Sequence, residues 1–285
     1  MEFWLLLAAF LQEDRLGEGW AKAETEHYFI HGESGKKIVD EYRVNIELLF
    51  REYAKAFQFK GKLEKKAKVF IHKSRESYVR AGAPGSSVAY YDSEAKRLVS
   101  YEDRELLQFM AHEATHQFFD LAFPSFYSNP DLPMWFSEGI AECFCNCEIR
   151  GGAIYINVLV NCENAWRNVE ACKDALQTKE IIAIREMLQM SEETFGKRSD
   201  LMYPLSWSFC HFLWNYPGTS EGKGKYREAI IRLVEAFKEG KKRDEAYTYG
   251  FVVAKKELNL DQLDAEWRQY LKGLKAKRPP QPNDK

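Results

Sequence analysis

Apolar positions recur along this chain in two registers, and the switch between them divides it. Short runs of aromatic and β-branched residues at 25–31 (TEHYFIH), 68–72 (KVFIH), 88–91 and 97–101 predict strands. Between the first two, Ile38, Val39, Tyr42, Ile46, Leu49, Phe50 and Tyr53 fall at helical spacing, so 36–57 is predicted to be a long amphipathic helix entered from Gly32-Glu33-Ser34-Gly35. Residues 74–80 suit a short helix that Ser74 can cap, and 82–85 a turn. The polar stretch 92–96 would join the last two strands as a hairpin.

Helical spacing resumes after Asp103, a candidate N-cap, through Leu106, Leu107, Phe109 and Met110, and should stop before Pro124. Loop composition fills 124–131. Asp131 and Pro133 then suit the start of a helix reaching about Cys147. Gly151-Gly152 breaks the chain, 153–158 predicts a short strand, and helices are expected at 163–176, 179–190, 203–215, 223–239 and 261–274. The fold class expected is α+β. An N-terminal segment, 1–24, precedes a part with a mixed sheet and helices over 25–147; a mostly helical subdomain follows over 148–275, then a disordered tail over 276–285.

Composition narrows this only in places. The 285 residues are 45% hydrophobic and 14% aromatic, enough for a sizeable core. Lysine plus arginine (41) nearly balances aspartate plus glutamate (43), so nothing in the charge favours nucleic acid or an acidic membrane. The Lys-rich stretches 60–68 and 238–243 read as solvated faces. The longest apolar run, Trp4 to Leu11, is too short to span a bilayer. It is signal-like, with Ala21-Lys22-Ala23 as a small-x-small cleavage site, but Glu2 and no basic residue precedes it and the site lies far downstream, so export is not established and no compartment is assigned.

Six cysteines, Cys143, Cys145, Cys147, Cys162, Cys172 and Cys210, include a C-x-C-x-C run at the end of a predicted helix. There Cys143 and Cys147 share a face and Cys145 points elsewhere, poor geometry for one tetrahedral ion. Ordinary buried cysteines are the preferred reading, disulfides involving the 162–172 segment the next, and a second metal site the last. The redox compartment stays open.

The candidate chemistry lies in His112-Glu113-Ala114-Thr115-His116, an H-E-x-x-H pattern inside an apolar helical run. Residues four apart share a helix face, so both imidazoles can grip one zinc ion while Glu113 reaches a metal-bound water. A hydrolytic zinc needs three protein ligands and a vacant position. Glu138, on the next predicted helix, is the third candidate. Glu142 is four residues on and shares its face; it could accept the distal N–H of a ligating histidine, or substitute for Glu138.

HEATH at 112–116 followed by PMWFSEGIAE at 133–142 resembles the signature of the gluzincin metallopeptidases, in which H-E-x-x-H precedes a helix bearing a W-x-x-E-G-x-A type motif. The likeness covers roughly 103–142, with a weaker match in the strands before it and in Tyr203-Pro204-Leu205-Ser206-Trp207. By that resemblance His112, His116 and Glu138 are zinc ligands, Glu113 is the general base, and Glu142 stands where such enzymes often hold an acid against a ligand. The resemblance also implies a donor to the oxyanion from a later helix, for which Tyr203 is the choice and His211 the reserve, and an edge strand, here 97–101, along which a peptide adds. The expected function is therefore a zinc metallopeptidase, with a peptide or protein substrate. An endopeptidase is preferred because the G-x-M-E-N motif of exopeptidases is missing. The alternative is a non-catalytic binding or scaffold protein on a gluzincin fold with a structural or vestigial zinc.

Overall fold

The central strand of the sheet, β3 (Ala67–His72), is apolar on both faces, with Val69, Phe70 and Ile71 all buried, as a strand covered on both sides must be. A computed structural model describes residues 19–159, 163–217 and 224–278. The other strands of the five-stranded sheet are β1 (Ala21–Glu24), β2 (Tyr28–Gly32), β4 (Ala89–Asp92) and β5 (Arg97–Tyr101), in the order β1-β2-β3-β5-β4. β2, β3 and β5 run parallel; β1 and β4 pair antiparallel at the two edges. Helix α1 (Lys36–Ala56) makes the crossover from β2 to β3 and buries Val39, Tyr42, Ile46, Leu49, Phe50 and Tyr53. Helix α2 (Arg75–Arg80) is capped by Ser74, whose hydroxyl accepts from the Ser77 amide.

Helix α3 (Leu106–Ala122) carries the H-E-x-x-H pattern across one face of the sheet. It ends where Phe123 is driven out of helical geometry (φ −137°, ψ 66°) by the following proline. The stretch expected as loop then holds one helical turn, α4 (Pro124–Tyr127), before α5 (Met134–Cys145), which carries Glu138 and Glu142. β6 (Glu148–Arg150) and β7 (Ala153–Tyr155) form a hairpin on Gly151-Gly152, both at positive φ, as such two-residue turns require. The remaining helices are α6 (Glu163–Thr178), α7 (Ile184–Leu188), α8 (Glu192–Lys197), α9 (Ser199–Asn215), α10 (Arg227–Lys238), α11 (Arg243–Gly250) and α12 (Leu260–Gly273), with a small pair β8 (Val252–Val253) and β9 (Lys256–Glu257). The protein is thus α+β, with a mixed N-terminal sheet and a helical second half. One apolar cluster runs through both halves, from Ile30 and Val69 to Phe209 and Trp267.

Several expectations are corrected. Ala21-Lys22-Ala23 sits in β1, a strand the sequence pattern did not predict. Strand β5 is not an edge: its parallel pairing with β3 encloses it, and the hairpin return makes β4 the edge instead. Asp103 is not the N-cap of α3; it accepts from the Glu105 amide one step early, and Glu105 holds the cap position. Asp131 does not cap α5, because that helix begins beyond Pro133, out of reach of its carboxylate. The helix expected at 179–190 shrinks to α7, since Lys179 turns to positive φ and ends α6. Conversely α9 starts at Ser199, with Pro204 inside it at the loss of one backbone bond. Among the described residues no helix is long and apolar enough to cross a membrane. The run at 4–11, Cys162 and the tail from 279 onward lie outside the described residues.

Candidate metal centre

Helix α3 is fixed against the sheet by buried polar side chains. Tyr53 donates its hydroxyl to the Ala111 carbonyl at 2.8 Å, just ahead of His112. Gln117, fully buried, donates to the carbonyls of Lys68 (3.1 Å) and Lys96 (3.4 Å), tying the helix to β3 and to the β4–β5 hairpin. Asp120, also buried, accepts from the Tyr91 hydroxyl and the Lys96 ammonium, each at 2.6 Å. The edge strand is thereby held beside α3. Helix α5 is anchored at its start by Trp135, whose indole donates to the Tyr247 hydroxyl at 2.9 Å.

These anchors set α3 and α5 so that three donors converge. The Nε2 atoms of His112 and His116 are 3.3 Å apart. Glu138 places Oε2 3.3 Å from His112 Nε2 and Oε1 3.5 Å from His116 Nε2. A tetrahedral ion held at bonds of about 2.0–2.1 Å has ligand–ligand edges of roughly 3.3 Å, which is the spacing found. On the far side of the same ring, His112 Nδ1 lies 3.2 Å from Glu142 Oε1. A proton shared there leaves Nε2 as a lone-pair donor towards the other two groups. The donor set therefore fits a zinc ion: nitrogen, nitrogen and oxygen, all half-buried or buried.

The charges are balanced inside the cluster. Burial works against ionising Glu138, but the charge on His116 and hydrogen bonds from both imidazoles outweigh it and hold the carboxyl far below the ordinary glutamate range. Glu142, half-buried, is likewise lowered, through its hydrogen bond with His112 and the amides of Asn164 and Asn168. Burial disfavours a charge on His112; hydrogen bonds to Cys145, Glu138 and Glu142 reverse that and raise its pKa well above the usual histidine value.

A cavity of about 370 Å³ opens on this centre. His112 and Glu113 from α3, Glu142 and Cys145 from α5, and Tyr203 from α9 line it, together with Ser87, Val88 and Ala89 at the head of β4. Burial raises the pKa of Tyr203, and the charge of Glu138 and a hydrogen bond to it keep the phenol protonated. His211, two turns further along α9, is not at the centre. It is buried, accepts or donates through Nδ1 to the Tyr270 hydroxyl at 2.8 Å, and burial lowers its pKa to about 4. As the reserve oxyanion donor it is excluded by position.

Sequence reasoning passed over Asn164, Asn168, Asp120 and Tyr127, whose ring lies 6.2 Å from that of His116. Only Asp120 left a signal, an acid inside an otherwise apolar helix face. A second group of donors, Glu26, His27 and Glu47, also lies within reach of a common point, but there His27 Nδ1 is already paired with Glu47 at 2.9 Å and Glu26 is exposed. His31 stacks on Phe70, and His72 bonds to Ser77, as structural histidines do. Of the cysteines, Cys143, Cys172 and Cys210 are buried free thiols and Cys147 is buried in the core, while Cys145 faces the cavity.

An α+β chain with a partly buried His-His-Glu cluster beside an open cavity is thus the class that fold and site define. The profile of a family described as a protein of unknown function (DUF1570) matches residues 107–221, a span from the second residue of α3 through Tyr203 and α9. No curated protein matches the chain.

Proposed function

We propose that this protein is a zinc-dependent metallopeptidase of gluzincin type, cutting within peptide chains. The observation that carries the reading is the set of donor separations of 3.3, 3.3 and 3.5 Å among His112, His116 and Glu138, with His112 and Glu113 both lining the adjoining cavity. Zinc held by these three residues supplies a Lewis acid that polarises a carbonyl and acidifies a water. Glu113, one residue on from a ligand and turned into the cavity, accepts the proton of the attacking water and passes it to the leaving amine. Tyr203, kept protonated beside Glu138, donates its O–H to the oxygen on which charge develops. The edge strand β4 offers its unpaired backbone N–H and C=O groups to an extended peptide, and Asp120 keeps that strand alongside α3.

Elemental analysis followed by a peptide-library digest tests the reading. About one zinc per chain and cleavage lost in Glu113→Gln are expected. A chain that retains less than about half an equivalent, or a loaded chain that cuts nothing in a broad library, overturns it.

A further inference from the structure

The carboxylate that steadies His112 is itself held by a third helix. Glu142 gives Oε1 to His112 Nδ1, and its other oxygen, Oε2, accepts from Asn164 Nδ2 and Asn168 Nδ2, each at 2.9 Å. The two asparagines are four residues apart on one face of α6. An ionised carboxylate only accepts, so both amides must turn their nitrogens towards it; the chemistry of the partner fixes which end points in. Asn164 Nδ2 also reaches Cys145 Sγ at 3.0 Å, and that sulfur lies 3.2 Å from the Glu142 carbonyl oxygen. Asn168 is 5% exposed, so water cannot substitute freely for its donation.

We infer that Asn164 and Asn168 are positioning residues of the metal centre, an amide clamp that acts only through Glu142. With Oε2 pinned from two directions, the carboxylate cannot rotate, and Oε1 stays opposite His112 Nδ1. That fixes the plane of the ring and directs Nε2 at the point shared with His116 and Glu138. Without the clamp a half-buried, charged carboxylate would be left short of donors and would turn to find them. The inference rests on the zinc reading, and it adds that a helix carrying no ligand and no catalytic group sets the affinity of the site.

The test uses the full chain labelled with ¹⁵N-histidine, and the variants Asn164→Leu, Asn168→Leu, Glu142→Ala and their combinations. Leucine keeps the amide's size and removes the donor. Zinc affinity, read by competition with a chelator, should fall about tenfold for each asparagine variant, in the range usual for partners behind a ligand. In the Glu142→Ala background the same changes should cost less than about twofold, because the path is already cut. The proton on His112 Nδ1 should be sharp and slow to exchange in the parent, with or without zinc, and exchange at least about tenfold faster in the asparagine variants. Equal losses of zinc affinity with and without Glu142, or an unchanged Nδ1 proton in both asparagine variants, overturn the clamp. A parent chain that binds no zinc overturns the metal reading alone, and the proton signal still decides the clamp. Asn164, half-buried, keeps the test open should Asn168→Leu not fold.

Discussion

Gly139 meets Ser206 so closely that a Cβ on the glycine would stand 2.7 Å from the Ser206 carbonyl oxygen and equally close to Cys210 Sγ. This is where α5 crosses α9. The approach is possible because the residue after Glu138 has no side chain, and Tyr203, one turn back from Ser206, lines the cavity together with His112 and Glu113.

Gly139→Ala should therefore destabilise, although alanine is the better helix former by about 1 kcal/mol. Backbone has to move, and overpacking of this kind costs about 1–3 kcal/mol. Gly196→Ala, in α8 with open space around it, should do the opposite and raise the melting temperature slightly. Thermal unfolding of the pair decides. A neutral or stabilising Gly139→Ala would mean the helices are not pressed together there.

At the proposed metal centre, binding and chemistry should separate. Glu138→Ala removes the carboxylate that reaches both Nε2 atoms and should abolish tight zinc binding. Glu113→Gln, which leaves all three donors in place, should leave about one zinc per chain and remove hydrolysis. Zinc lost on Glu113→Gln would contradict its assignment as the base.

Tyr203→Phe should lower kcat by about 10²–10³ with KM and zinc content little changed, as for loss of one donor to a developing oxyanion. The phenol also packs at 5.4 Å on Phe195, a contact that phenylalanine preserves. If kcat stays within about twofold, the residue is only a packed aromatic.

His211 predicts an acid-side loss of stability. Burial lowers its pKa to about 4 from the ordinary 6.5, so between those values the unfolded chain binds the proton and the folded chain does not. Its stabilising contribution is complete above 6.5 and is lost as the pH falls towards 4, a total of about 3 kcal/mol. Denaturant titrations across that window should show a shallower pH dependence for His211→Gln than for the parent. Identical slopes would mean that the imidazole is not kept neutral in the fold.

Which candidate donors share a helix face could be read from spacing alone, since i, i+4 on a helix is a local relationship that any fold preserves. His112 with His116, and Glu138 with Glu142, are each such a pair, and the alternation of strand and helix patterns was enough for the α+β class. Local caps were less legible. Ser74 does cap α2, whereas Asp103 and Asp131 stand just outside their helices, because one or two residues of extra turn are invisible in composition.

What tertiary structure alone decided is everything that depends on two segments meeting. Strand β4, not β5, forms the sheet edge because the parallel pairing of β3 with β5 is a long-range choice. His211 and Tyr203 share a helix and an aromatic setting in sequence, yet Tyr203 lines the cavity while His211 pairs with Tyr270, because the crossing point at Gly139 sets which turn of α9 faces the centre. Asn164 and Asn168 look like polar residues on an amphipathic helix until α6 folds against Glu142. Spacing fixes which side chains share a face; burial and closure of the chain fix what that face meets.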